Sequence, residues 1–484
     1  MNKALKLLIF TISKTNYSSL WLLILAAITG GLAFEPFNQP IALFFSVYIL
    51  LSNLQKQQVF KNFFKNAAIF CFFFFLSHLY WVCWAVNVYG IPAAMPLVLV
   101  GMPIIIGIFP TICILPSYYF KENKNSFAWV LGFGWWLSEI ARSFLFTGFP
   151  WNLNGYIWGL EILQSTRFFG IFGLSLLTIT ACVVSFTKQK RLGGLILCGF
   201  LGLWIDGYLR LKSPEINTEI NLRLVQPSID QQQKWLPDFF EKNLERFEIL
   251  TTIESERPIH LTIWPEAAVT VPLDRYTNLA THLGAMIKQG YLITGAPRNN
   301  HDSYQVFSSL QVIDIKGTIH ATFDKFHLVP FGEYVPLRSL NPFPKLTQGT
   351  MDYSAGDGPK TINLPGIPPF SPLICYEGIF SGAVVDGKNR PQWLLNITND
   401  AWYGKTSGPY QHLKIVQVRA IEEGLPLIRV ANNGISAVVD AYGRIIQKLE
   451  LDKIGFIDAS LPAALPVTFY RKFINYFGLS MLQH

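Results

Sequence analysis

The first 209 residues are a succession of long apolar stretches joined by short polar links, and this commits that part of the chain to helices in lipid. Seven stretches fall at about 18–34, 41–53, 67–86, 93–117, 127–145, 168–187 and 192–209. A helix needs roughly 20 apolar residues to span a bilayer, so the second is the shortest candidate. Only 14% of the 484 residues are charged. A soluble domain carries about 25%.

Charge is unevenly placed. Residues 1–209 hold 13 Lys+Arg and 5 Asp+Glu, a balance of +8; the rest holds 26 of each and is neutral. The basic residues sit in alternate links: Lys3, Lys6 and Lys14; Lys56, Lys61 and Lys65; Lys121 and Lys124; Lys188, Lys190 and Arg191. The opposite links, Glu35–Pro40 and Asn87–Pro92, have no Lys or Arg. Such alternation marks membrane topology rather than a nucleic-acid surface. It predicts a cytoplasmic amino terminus and, after seven crossings, residues beyond about 210 on the other side. The first apolar run, about 17 residues, exceeds the roughly 7–15 of a signal-peptide core, so it reads as an uncleaved helix.

Within the fifth stretch Glu139 and Arg142 share a helix face. They either line a cavity or form an ion pair reaching toward the headgroups. The following Phe146–Asn152 run (FTGFPWN) reads as a re-entrant or an aromatic-belt loop.

From about residue 220 the pattern becomes short strands alternating with helices, an α/β domain with one core. Strands are expected at Leu222–Val225, His260–Trp264, Tyr291–Gly295, Gln305–Asp314, Phe370–Cys375, Trp393–Ile397, Leu427–Val430 and Ser436–Asp440. Helices are expected at Pro237–Ile253, Asp274–Lys288 and Pro409–Glu423. This divides the chain into a transmembrane bundle (1–212), an α/β domain (213–460) and a carboxy-terminal amphipathic or truncated membrane segment (461–484). In the last, Arg471 and Lys472 interrupt the apolar residues.

Three apolar runs end in a reactive side chain: Ile263-Trp264-Pro265-Glu266, the Phe323–Glu333 run containing Lys325, and Leu373-Ile374-Cys375-Tyr376-Glu377. Strand ends are where α/β sheets place catalytic groups. Five of six cysteines (Cys71, Cys83, Cys113, Cys182, Cys198) lie in apolar stretches and read as small hydrophobes; Cys375 alone lies in the polar half. A thiol, an ammonium and a carboxylate supply what thiol-based acyl transfer needs. The ammonium favours the thiolate, the carboxylate moves protons, and the ammonium with a backbone N–H stabilises the oxyanion. There is no G-x-S-x-G elbow, no phosphate-binding glycine loop and no H-x-x-x-H pair. His327 and His412 read as structural.

These segments resemble the nitrilase (carbon–nitrogen hydrolase) superfamily, and within it the membrane branch of apolipoprotein N-acyltransferases. The resemblance rests on Trp264-Pro265-Glu266, Lys325–Pro336 (KFHLVPFGEYVP), Ile374-Cys375-Tyr376-Glu377, Thr398–His412 (TNDAWYGKTSGPYQH), Arg419–Glu422 with Arg429–Gly434, and FTGFPWN. It implies a nitrilase-like αββα sandwich in the periplasm, attached to an α-helical bundle in the inner membrane. Glu266 becomes the general base, Lys325 the electrostatic stabiliser and Cys375 the nucleophile. Glu333 is a supporting glutamate, Tyr376 and Glu377 shape the pocket, and Trp235 sits on a substrate-contacting arm. The implied reaction is ping-pong and needs no cofactor or metal. Cys375 takes an acyl chain from a phospholipid, typically phosphatidylethanolamine, and passes it to the amino-terminal diacylglyceryl-cysteine of an apolipoprotein. Two features depart from the family: the tail stops short of a usual eighth helix, and Gln226–Asp230 differs from the usual Gln-Gly-Asn-Ile-Pro form. A membrane-tethered amidase and a non-catalytic lipid binder are the rival readings.

Overall fold

The structure, a computed structural model, describes residues 16–300, 305–338 and 351–477. Lys3, Lys6 and Lys14, and the tail beyond 477, lie outside the described residues. The chain divides into two compact units.

The helical unit takes in described residues up to Cys83, Ala94–Ser165 and Ile171–Tyr208. One helix answers each apolar stretch: α1 (Asn16–Gly30), α2 (Pro40–Gln55), α3 (Phe60–Leu79), α4 (Met95–Ile114), α5 (Lys124–Phe144), α6 (Thr166–Thr187) and α7 (Lys190–Leu211). Starts are set locally. Pro40 opens α2 where its missing N–H costs nothing. The Asn123 side chain accepts the backbone N–H groups of Asn125 and Ser126 to cap α5.

Among the described residues, four helical runs are long and apolar enough to cross a membrane: Phe60–Val88, Pro92–Phe120, Thr166–Thr187 and Lys190–Leu211. The 16 residues of α2 rise about 24 Å, short of a hydrocarbon core of about 30 Å. Close helix approach depends on missing side chains: a Cβ on Gly134 of α5 would lie 2.2 Å from the Cys113 carbonyl oxygen of α4.

Glu139 and Arg142 are both buried and are used on the loop that follows them. Arg142 donates to the carbonyls of Phe149 and Trp151, each at 2.7 Å, and of Asn152 at 3.3 Å. Glu139 accepts the Asn154 N–H at 2.8 Å and the Ser175 hydroxyl. Two ionisable groups thus satisfy irregular backbone that apolar surroundings would leave unpaired.

The second unit, Trp84–Ala93, Thr166–Gly170 and the described residues from Leu209 on, is built on two sheets. The first contains β1 (Asn217–Gln226), β2 (Leu261–Ile263), β3 (Tyr291–Asn300), β4 (Gln305–Asp314), β5 (Ile319–Asp324) and β12 (Gly455–Pro462), in the order β12-β1-β2-β3-β4-β5. The second contains β6 (Ile362–Leu364), β7 (Ile367–Ile374), β8 (Trp393–Thr398), β9 (Leu427–Ala431), β10 (Ser436–Val439) and β11 (Ile445–Leu449), in the order β11-β10-β9-β8-β7-β6. Each sheet has a parallel centre, β1-β2-β3 in one and β7-β8-β9 in the other.

The period of two along each strand sorts side chains to opposite faces. Leu224, Ile293, Val312, Ile374, Leu395 and Val438 meet between the sheets. Their neighbours Val225, Leu292 and Ile313 face the helices α8 (Phe240–Thr252) and α9 (Thr277–Ala285). Leu373, Leu394 and Val439 face α10 (Gly408–Glu423). The result is the expected αββα sandwich, with three buried apolar clusters where the sequence pattern suggested one.

The last described helix, α11 (Phe469–Phe477), turns Tyr470, Arg471 and Ile474 inward and leaves Phe469, Phe473, Tyr476 and Phe477 exposed. Arg471 does not interrupt an apolar face as its charge suggested. It is buried on the inward face, paired with both carboxylate oxygens of Glu423.

Candidate active site

Three strand ends deliver three reactive groups. Glu266 follows β2, Lys325 follows β5 on the same sheet, and Cys375 follows β7 on the opposite sheet. Backbone geometry is unusual at two of these points. Cys375 has φ +52° and Ala267, just after Glu266, has φ +48°. Left-handed conformations of non-glycine residues cost about 1–3 kcal/mol and persist only where the surroundings impose them. At Cys375 the strand turns directly into a 3-10 turn, Cys375–Ile379, forming an elbow without the glycines that mark one in sequence. The Glu266 turn needs a glycine opposite it. A Cβ on Gly295 of β3 would lie 2.4 Å from the Ala267 nitrogen and 2.8 Å from the Glu266 Cα.

Lys325 Nζ donates to Glu333 Oε1 at 2.8 Å and to Glu266 Oε1 at 3.3 Å, with all three side chains largely buried. Burial alone would discharge the lysine; Glu333 and then Glu266 outweigh it and hold the ammonium charged. Burial raises Glu333, partly opposed by Lys325. The second oxygens are also occupied. Glu266 Oε2 accepts the Asn399 backbone N–H at 2.8 Å, and Glu333 Oε2 accepts that of Val329 at 2.8 Å.

The Cys375 thiol lies within electrostatic range of Glu266, Lys325 and Asp400. Its acidity departs from the sequence-based expectation. Burial, reinforced by Glu266, pushes the thiol well above the ordinary range, and Lys325 only partly offsets this. Burial thus favours the neutral thiol over the thiolate at rest.

Glu377, expected to help shape the pocket, is held by the backbone around the elbow. It is fully buried, and its carboxylate accepts three backbone N–H groups: Phe326 at 2.6 Å, His327 at 3.2 Å and Ile374 at 2.7 Å. Burial raises its pKa to about 8 against those donors. Tyr376 packs against His327 and Phe380, whose rings are themselves stacked at 3.7 Å. Trp235 ends a one-turn helix, Gln231–Lys234, and with Leu236, Phe240 and Tyr276 lines an open groove of about 700 Å³.

Several neighbours were not anticipated. Lys234, beside Trp235, is buried and donates to the Glu266 carbonyl at 3.0 Å. Its only signal in sequence is a lysine before a tryptophan, which reads as solvated. Behind the elbow, Asn396 donates to the Cys375 and Leu373 carbonyls, each at 3.3 Å, and accepts from Arg429. Arg429 also binds Asp400 at 2.6 Å, and Asp400 accepts from His412 at 3.0 Å. His412 is thus a supporting group, as expected. These partners are far apart in sequence and become neighbours only through the parallel strands β7-β8-β9.

Matches to known proteins cover both units. Residues 221–466 match the carbon-nitrogen hydrolase family, and residues 26–184 match the apolipoprotein N-acyltransferase N-terminal domain. The chain is 38% identical over 482 residues to the apolipoprotein N-acyltransferase of Rickettsia prowazekii, covering 95% of each chain. It is 34% identical over 484 residues to that of Rhodopseudomonas palustris, covering 93% of this chain and 90% of the relative. Among solved structures, an amidase from Nesterenkonia sp. matches at 18% identity and a TM-score of 0.38, over 54% of this chain and 95% of the amidase. A 246-residue hydrolase domain joined to the family's own helical domain, with relatives of this identity along nearly the full length, makes the chain a member of the apolipoprotein N-acyltransferase family.

Proposed function

We propose that this inner-membrane acyltransferase carries a fatty chain on Cys375 between a phospholipid, phosphatidylethanolamine, and the amino-terminal diacylglyceryl-cysteine of an apolipoprotein. The observation that carries the reading is the buried Glu266–Lys325–Glu333 cluster within electrostatic range of a thiol on a strained elbow.

A neutral resting thiol assigns the base its role. As Cys375 Sγ attacks the ester carbonyl, its proton passes to Glu266. The carbonyl electrons move onto oxygen, and the charged Lys325 with the Tyr376 backbone N–H stabilises that oxyanion, a donor of this kind being worth about 3–4 kcal/mol. The carbon–oxygen bond then breaks, and Glu266 returns the proton to the departing lyso-phospholipid oxygen. In the second half the acceptor nitrogen attacks the thioester, Glu266 takes one of its protons, the carbon–sulfur bond breaks and the sulfur is reprotonated. Glu333 holds Lys325 in place between two carboxylates. Trp235 and the groove beside it meet substrate. Both substrates are lipids, which suits a catalytic domain joined to membrane helices, and the positive-inside pattern supports a periplasmic position for this domain.

The test is mass spectrometry of the denatured protein after incubation with phosphatidylethanolamine vesicles. A fatty-acyl adduct mapped to the Cys375 peptide, and missing from Cys375→Ala, is the expected result. No adduct, together with ammonia release from simple amides, would replace this reading with an amidase.

A further inference from the structure

Aminolysis of a thioester leaves one proton over. An acceptor α-amine has a pKa of about 7.7–8.0, so it arrives near neutral pH mainly as an ammonium with three protons. The product amide keeps one and the sulfur regains one. The third must leave a buried site. Glu266 accounts for the proton that travels from nitrogen to sulfur, and Lys325 is held charged by its two carboxylates and can accept nothing.

Lys234 has the geometry to take the third proton. Its one hydrogen bond among the described residues goes to a neutral acceptor, the Glu266 carbonyl, at 3.0 Å, and no carboxylate pairs with it. The titratable groups facing it are Glu266, from the turn after β2, and Cys375, from the elbow after β7; Asp230 on its own segment is spent capping the Gln231–Lys234 turn. Lys234 also lines a cavity of about 10 Å³, with Asn243 of α8 and Thr270. That is about the space of one water molecule. Phe240 and Thr270 line both this cavity and the 700 Å³ groove, so the two adjoin. Glu241 and Arg275 are the charged side chains on the outer groove.

We propose, resting on the thioester reading above, that Lys234 accepts the surplus proton of the acceptor ammonium and passes it outward through the Asn243–Thr270 cavity to the open groove. Burial lowers the Lys234 pKa to about 8, against the pull of Glu266 and Cys375, which matches it to the amine it would deprotonate. The neutral fraction of Lys234, enlarged by its burial, takes the proton, becomes an ammonium beside Glu266, and resets by losing it to solvent. A hydrolase using water has no third proton to clear, so this group separates amine from water as acceptor.

The full chain in detergent micelles, loaded with phosphatidylethanolamine, is chased in a single turnover with a synthetic diacylglyceryl-cysteine peptide from about pH 6 to 9. Lys234→Met is expected to slow peptide acylation about 10²-fold at pH 7 and thioester formation far less, with the deficit closing as pH rises and the peptide amine loses its own proton. Hydroxylamine, already neutral at pH 7, should clear the variant and wild-type thioesters equally fast. Lys234→Gln is the second variant should the first fail to load. An unchanged pH profile, equal slowing of both half-reactions, or equal slowing toward hydroxylamine would overturn the proposal. Failure of the wild-type chain to load would instead sink the thioester reading, and this inference with it.

Discussion

Glu377 accepts the backbone N–H of Phe326 at 2.6 Å, although the two residues follow strands of opposite sheets. Its other oxygen accepts the N–H of Ile374, next to Cys375. One carboxylate therefore fixes the Lys325 strand end relative to the Cys375 elbow. Glu377→Gln keeps the size but leaves one amide oxygen to serve three donors. The expected result is a loss of about 1–3 kcal/mol in thermal unfolding and a fall in acyl transfer larger than that loss explains. Wild-type turnover in the variant would show that the clamp is dispensable.

The raised thiol makes a prediction about reactivity. Alkylation of Cys375 by iodoacetamide should be slow at pH 7 and still climbing above pH 9, because the reagent reads the thiolate fraction. Lys325→Met removes the group that favours the thiolate, so alkylation should be slower still at every pH. Cys375→Ser should abolish transfer, a hydroxyl at that site being far less ionised. A rate plateau near neutral pH would mean the resting residue is already a thiolate.

Gly295 tests the carboxylate's placement from a strand that carries no reactive group. Gly295→Ala puts a methyl against the backbone at Glu266 and Ala267, where neither atom belongs to a flexible side chain. Overpacking of this kind costs about 1–3 kcal/mol. Peptide acylation should fall while the helical unit remains folded, measurable by circular dichroism alongside activity.

Asp400 sets an acid limit on stability. Burial raises its pKa, but Arg429 and His412 outweigh burial and hold it well below the ordinary carboxylate range. A depressed native pKa gives stability that is present above the unfolded value near 3.9 and lost as pH falls below it. Asp400→Asn leaves Arg429 buried without its carboxylate, so it should cost about 3–5 kcal/mol at pH 7. Thermal unfolding in detergent should show this cost shrinking as pH falls below about 4, where the unfolded chain takes up a proton that native Asp400 still excludes.

Much of the sheet domain was legible because its inner strands are apolar on both faces. β4 coincides with the expected Gln305–Asp314, and β8 and β9 run one residue past Trp393–Ile397 and Leu427–Val430. β5, β6, β11 and β12 were not among the expected strands. All four are edge strands, and β11 is mostly exposed, with Gln447 and Lys448 among its five residues. Edges mix polar and apolar residues without a clean period. In the helical region the apolar runs located seven helices, but among the described residues four runs meet the length and apolarity of a span. At the site, reactive side chains at strand ends could be picked out one by one. The expected acidification of Cys375 did not hold, because sequence shows a lysine's charge but not how deeply the thiol is buried. Nor did it show Asn399, Arg429 or Lys234 as members of the candidate site, since the fold decides those contacts.

The placement of Cys375 on the sheet opposite Glu266 and Lys325 also governs when the protein becomes reactive. A ribosome delivers the carboxylate and the amine first, on a half that has no sulfur to use. The thiol comes some fifty residues later, and until the second sheet closes over the first it is an ordinary cysteine. On the proposed reading, nascent chains therefore cannot carry acyl groups on Cys375, and completing the fold is itself the step that assembles the site.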